Sequence, residues 1–255
     1  MNIIEQEKPS KEFQQAWLAA AQHINSRCQD GIAWIRNNLS RPFVEHLSFR
    51  IGNQIFFIFV DAAEFKLSAR YDVFVNFANL AGATPCFMPM SKNIAKYEPA
   101  EAGWGLRHAV TNEHVNPLDM VSDELIEMTD WELYDLSVDF VKKALQKEGK
   151  SVYSSCSDIR ISPSFWFEEN NLHYWVVVRA GRYPTVSIKV PDNINQIAAS
   201  FAGMGEAGFF ASVVVANADD PFDADAKETG NFLPLYRGHG MRVKYSGIQS
   251  ISNSH

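Results

Sequence analysis

Apolar residues recur every three or four positions from Lys11 to Arg27, placing Phe13, Trp17, Ala20, Ala21 and Ile24 on one face of a predicted helix. Asp30-Gly31 interrupts that period, and Ile32 to Leu39 is expected to form a second short helix that stops before Pro42. A hairpin follows: Phe43 to Ile51 partly alternates, Gly52-Asn53 supplies the turn, and Gln54 to Val60 is apolar on both faces. Such a strand belongs in the middle of a sheet. Tyr71 to Leu80 reads as a buried helix ended by Gly82. Thr84 to Met90 reads as an extended segment whose prolines confine it to an edge or loop. Between Ser91 and Asn116 one strand is expected, Trp104 to Val110, and Pro117 to Asp130 is a connecting stretch.

The second half is patterned more clearly. Thr129 can cap a helix from Asp130 to Lys147 that Gly149 ends, with Trp131, Leu133, Tyr134, Leu136, Val138, Phe140, Val141 and Leu145 as its apolar side. A strand at Ser151 to Ser155 precedes a hairpin of Ser164–Glu168 and His173–Ala180, turned by Asn170-Asn171. Asp192 or Asn193 can cap a helix through Phe201, Gly203 stops it, and strands at Phe209–Ala216 and Met241–Tyr245 close the chain. The fold class is therefore mixed α/β (α+β), with two similar helix–hairpin–helix–strand halves, 1–122 and 123–255. They form either two domains or one continuous domain, and no residue-level repeat links them. Phe57, Phe59, Val177, Val213 and Val214 are expected in the sheet cores, and the tail from Ser250 to His255 is expected to fray.

With 46% apolar and 21% charged residues, the chain has an ordinary globular composition. Its net charge of −7 argues against tight, non-specific nucleic-acid binding, which relies on clustered Lys and Arg. Cys28, Cys86 and Cys156 are far apart and odd in number, so neither a disulfide framework nor a zinc ribbon is indicated. The N-terminus has no secretory pattern, and the longest apolar run, Ile55 to Val60, is far short of the roughly 20 residues a membrane helix needs. A reduced, cytoplasmic setting without membrane attachment is expected.

Gly203-Met-Gly205-Glu-Ala-Gly208 is a literal G-x-G-x-x-G, but here it closes a helix and precedes a strand. Dinucleotide binding needs the reverse order, so a helix-to-strand turn is the expected role and no cofactor is implied. The stretch from Thr129 to Ala216 runs helix, strand, hairpin, helix, strand. Within it, Ser162-Pro-Ser-Phe-Trp-Phe-Glu168 is followed by Trp175-Val-Val-Val-Arg179. In element order and motif it resembles the restriction-endonuclease-like (PD-(D/E)xK) fold. That resemblance implies a divalent metal held by an acid on one strand and an acid-x-Lys on the next, with the Lys orienting the attacking water. Here Ser164 stands where the first acid is expected, Val177 at the second and Arg179 at the Lys. Valine cannot bind a metal and arginine cannot act as a base at neutral pH, so the resemblance implies an inactivated nuclease scaffold without a metal.

A displaced site would draw on Asp158, Glu168 and Glu169 near the hairpin. Other starting points are Asp61 with Glu64-x-Lys66, Glu148-x-Lys150 and Asp225-x-Lys227, patterns as frequent as chance predicts. Arg237 and His239, set among glycines, suit an anion-binding loop or a simple turn. Cys156 and His173 lack a third group to position them, and the aromatic set Phe165, Trp166, Phe167, Tyr174 and Trp175 lacks interleaved basic residues. The expected function is a non-catalytic interaction protein whose partner is another protein or a second copy. The alternatives are a metal-dependent nuclease or hydrolase with a migrated acidic site, with Asp158, Glu168 and Arg179 as candidates, and a small-molecule binder using Arg237 and His239.

Overall fold

Ser10 starts the first helix, α1 (Lys11–Arg27), by accepting a hydrogen bond from the Phe13 amide at 3.1 Å. In this computed structural model residues 9–28, 31–37, 39, 46–62, 71–94, 96–156, 158–220, 222, 228, 230 and 232–251 are described. The chain divides into one unit built on Gln6–Leu39 with Phe43–Ile126 and another built on Glu127–His255. Asp30, the hairpin start at 43–45, Glu64, Lys66, Asp225, Lys227 and the tail 252–255 lie outside the described residues.

In the first unit α1 lays Phe13, Ala16, Trp17, Ala20 and Ile24 against one sheet face, where Leu47, Phe49, Phe56, Ile58, Val60, Cys86 and Met88 meet it. The sheet runs β1 (Ile32–Arg36), β2 (His46–Ile51), β3 (Gln54–Ala62), β4 (Thr84–Asn93), β6 (Leu106–His108) and β7 (His114–Val115), with β5 (Lys96–Pro99) also paired to β4. Among the described strands of this sheet only β3 and β4 are parallel, and α2 (Tyr71–Leu80) lies between them in the chain. The opposite face carries Phe57 and Phe59 under Phe74 and Phe77 of α2.

Four expectations change here. Ile32–Arg36, within the segment expected as a short helix from Ile32 to Leu39, is strand: a segment this short gains little from local helix bonds, whereas as β1 it pairs with β2 from Ile32↔Ile51 to Arg36↔Ser48. Helix α2 is half-buried, with Phe74 and Ala78 inside and Val73 and Leu80 exposed. Strand β4 is central despite Pro85 and Pro89. Their carbonyls accept from Ala109 and Ala100, so the missing N–H groups face the short strands β5 and β6, and the β3 ladder keeps its donors. The strand expected at Trp104–Val110 is only β6, because Gly105 turns the chain before it (φ 65°) and residues 109–112 turn after it.

In the second unit the hydroxyl and amide of Thr129 and the carboxylate of Glu132 form a reciprocal capping box that starts α3 (Asp130–Lys147). Strands β8 (Ser151–Ser155), β9 (Phe165–Glu169), β10 (Leu172–Arg182), β11 (Ala207–Asn217) and β12 (Met241–Ser250) make a sheet in the order β12-β11-β10-β9-β8. The β9–β10 turn uses Asn170 and Asn171, both at positive φ (54° and 62°), as a tight hairpin requires. Strands β10 and β11 are parallel and joined by α4 (Ile194–Ser200). Helix α3 covers Phe165, Phe167, Val176, Val178, Ala211, Val213 and Val215, while α4 covers Trp175, Val177 and Phe210. The two units thus share one plan. A helix precedes three antiparallel strands, and a second helix then leads to a strand parallel to the third. The class is mixed α+β, with four α-helices and two mixed sheets among the described residues. Phe57, Phe59, Val177, Val213 and Val214 are all buried, as expected.

The glycine pattern has a steric cause. Gly203 ends the α4 turn at φ 79°. A Cβ at Gly205 would sit 2.9 Å from the Trp166 ring, and one at Gly208 would sit 2.1 Å from the Trp175 indole. Gly208→Ala is expected to destabilise by roughly 1–3 kcal/mol or more, because Trp175 must leave its site, while the exposed Gly203→Ala should cost about 1–2 kcal/mol. Urea denaturation midpoints check both, and an unchanged Gly208→Ala midpoint would refute the packing account.

His46 gives a second expectation. Its ring stacks on Phe57 at 4.6 Å and meets Phe74 and Phe77, and burial, aided by nearby Arg36, holds its pKa well below 6.5. Above pH 6.5 the imidazole is neutral folded or unfolded, and the full stability is present. As pH falls below 6.5 the unfolded chain takes up a proton that the folded one refuses. Stability then drops by up to about 1.4 kcal/mol per pH unit until the folded pKa is passed. In His46→Phe this component of the slope should vanish, as urea titrations at stepped pH will show.

Candidate functional site

Ser164, at the position of the expected first acid, is wholly buried. Its hydroxyl accepts from Tyr134 Oη at 2.8 Å and from the Val178 amide at 2.9 Å, tying α3, β9 and β10 together. Burial pushes the Tyr134 phenol up to about 12, so it stays a donor to Ser164 at neutral pH. Val177 has no exposed surface and packs on the α4 side with Trp175 and Phe210. Arg179 follows on the same face, half-buried, and its Nη1 donates to the Val178 carbonyl at 3.0 Å. Metal-binding chemistry has no carboxylate at these three positions.

Asp158 and Glu168 are not brought together. Strand pairing sets Ser155 opposite Phe165 and Ser151 opposite Glu168, so the end of β8 from which the chain leaves toward Asp158 lies roughly 10 Å along the strand from Glu168. Asp158 is held by Arg160 through contacts of 2.8 and 2.6 Å, and this partner pulls its carboxyl pKa below the usual value. His173 lies across from Glu168, edge-on to Tyr153, while the Cys156 amide bonds the Ser164 carbonyl at the other end. Cys156 and His173 therefore form no nucleophile–base pair. The aromatic set is split: Phe165, Phe167 and Tyr174 face α3, and Trp166 and Trp175 face α4. In the first unit, burial raises the Asp61 pKa from its usual value, and Glu148 is engaged by Lys150 at 2.5 Å in the second. Among the described residues, no three of His, Cys, Asp and Glu converge as a metal site would require.

Arg237 is a buried structural residue. Its Nε donates to Glu132 Oε1 and Oε2 at 2.9 and 3.0 Å and its Nη2 to Oε2 at 2.9 Å, with the two side chains only 4% and 7% exposed. The same carboxylate accepts from the Thr129 amide at 2.8 Å, so one acid caps α3 and anchors the Arg237 loop. Met128 donates to the Leu235 carbonyl and Asn217 to that of Pro234, fixing the loop further. His239 is exposed, edge-on to Tyr236 in a tight turn shaped by Gly238 at φ 81°. Glu132 was not singled out from sequence, although Thr129-x-x-Glu132 is a capping-box pattern that marks it.

A buried ion pair that loses one member leaves an uncompensated charge. Arg237→Ala is therefore expected to cost about 3–5 kcal/mol in urea denaturation, and Glu132→Ala with Arg237→Ala far less than the sum of the two singles. An unchanged midpoint for Arg237→Ala would show that the guanidinium is available for other work.

Residues 131–251 match the model of a family described as a domain of unknown function, DUF8840. No curated protein and no solved structure matches the chain. The resemblance to the restriction-endonuclease-like fold gains no support from these comparisons, and the family match falls within the second unit.

Proposed function

We propose that this protein is a non-catalytic interaction protein whose second unit is an inactivated, nuclease-like scaffold. The observation that carries the reading is the use made of the hairpin positions where the resemblance expects catalytic groups. Ser164 is committed to Tyr134 and Val178, and Val177 is committed to the core under α4. The element order α3-β8-β9-β10-α4-β11 supports the scaffold part of the reading. A migrated acidic site is disfavoured because Asp158 is neutralised by Arg160 and separated from Glu168. The Arg237 loop is likewise disfavoured as a ligand site, since Glu132 occupies its guanidinium. A scaffold of this kind would act through its surface, by contact with another protein.

The purified protein is expected not to cleave single- or double-stranded DNA or RNA with magnesium or manganese, and calorimetry should detect no stoichiometric binding of either ion. In-line hydrolysis needs a metal to stabilise developing charge and to generate the nucleophile. Metal-dependent cleavage that Asp158→Ala or Glu168→Ala abolishes would overturn the proposal.

A further inference from the structure

The last strand of the second unit, β12, is the outermost strand of its sheet and runs for ten residues, from Met241 to Ser250. Its hydrogen-bonding register fixes what the free edge offers. Ala218 donates to the Gly240 carbonyl and Ile251 to that of Gly208, both at 2.9 Å, and pairing runs Asn217↔Met241 to Val213↔Tyr245, then Ala211↔Ile248 and Phe209↔Ser250 after an irregularity. In an antiparallel pair, inward and outward backbone groups alternate. The N–H and C=O groups of Met241, Val243, Tyr245, Ile248 and Ser250 therefore point away from β11. Among the described residues no strand pairs with them. Edge strands in this state are templates for a further strand.

The side chains give the edge two unlike sides. Met241, Val243, Tyr245 and Ile248 are half-buried on the α3 side, and the Tyr245 hydroxyl there has no hydrogen-bond partner among the described residues. Arg242 and Lys244 stand exposed on the other side, with no acidic partner among the described residues, and Lys244 borders a groove of about 100 Å³ lined by Val186, Ile188 and Val214 together with Ser187, Ser212 and Ser246. Pairing two copies of β12 in parallel and in register would set these cations against their own kind, which costs energy across a strand pair. An acidic strand would meet them favourably.

We infer that β12 is the docking edge for an extended acidic segment of a partner protein, one that alternates carboxylate and apolar side chains. The segment adds as a sixth strand. Its carboxylates lie beside Arg242 and Lys244, and its apolar residues beside Val243, Tyr245 and Ile248. This deepens the proposed non-catalytic role and rests on it.

The test uses the full chain and ten-residue peptides of alternating Glu and Val, or Lys and Val. The Glu–Val peptide is expected to bind saturably and to slow amide exchange at Val243 and Tyr245. Affinity should fall roughly tenfold or more in Arg242→Glu/Lys244→Glu, and also in Val243→Pro, which deletes an outward donor but no β11 bond. Unchanged urea midpoints would show that both variants fold, and exchange protection in the parent reports docking independently of them. Failure of Glu–Val to bind, equal binding of Lys–Val, or indifference to the charge reversal would overturn the inference. So would concentration-dependent dimerisation lost in Val243→Pro, which would assign the edge to a second copy. The same preparations are assayed for metal-dependent nucleic-acid cleavage. Cutting would sink the non-catalytic reading itself, whereas absence of both cutting and peptide binding would remove only the β12 assignment.

Discussion

Each unit depends on a pair of adjacent parallel strands, β3 with β4 and β10 with β11, that must be covered on both faces. Parallel neighbours need a crossover, and the crossover helix covers one face while the leading helix covers the other. The consequence for sequence is a run of apolar residues with no alternation, seen as Ile55-Phe-Phe-Ile-Phe-Val60 and Trp175-Val-Val-Val178, all buried. The consequence for chemistry is more severe. A strand buried on both faces can carry a catalytic side chain only if the cover is withdrawn at that point. At Val177 and Val178 of β10 it is not, because the first lies under α4 and the second under α3.

Polar groups in the second unit follow the same rule. At Ser164 and Glu132, where a hydroxyl and a charge are buried, each is engaged on the spot. Ser164 receives two donors, and Glu132 serves both the helix cap and Arg237. A buried ion pair of this kind is weak evidence for net stability but strong evidence for position, since either partner alone would be costly. The Arg237 loop is therefore specified by α3, and its glycines shape a turn that presents His239 at the surface beside Tyr236.

How far the fold was legible depended on whether local signals agreed with distant partners. Helix α3 was readable to the residue because the Thr129 cap, the apolar stripe and Gly149 all pointed one way. The Asn170-Asn171 hairpin was readable because turn chemistry sets register locally. Strand β1 was misread because nothing within Ile32 to Leu39 distinguishes a short helix from a strand, and pairing with β2 decides. Strand β4 was misplaced because the proline rule depends on which side the missing N–H faces, a property of the neighbours. At the candidate site, the departures at Ser164, Val177 and Arg179 were visible in the sequence. The partner of Arg237 was not, because Glu132 lies 105 residues away and only folding brings the pair together.

The two units share a plan up to the strand that follows the second helix, and they part in how the sheet ends. Beyond β4 the first sheet tapers into β5, β6 and β7, strands of four, three and two residues, which leave little edge to pair. Beyond β11 the second sheet adds β12, ten residues long, which pairs along most of β11. Short edges protect a sheet from unwanted pairing, and so do charges placed on a long one. Arg242 and Lys244 supply such charges to β12 but on one face only, while the other face stays apolar with Val243, Tyr245 and Ile248. Two cations with no acidic partner among the described residues repel a basic strand. They leave the edge open to acidic strands, so the protection is selective. Selective protection is what separates a recognition edge from one that is merely blocked.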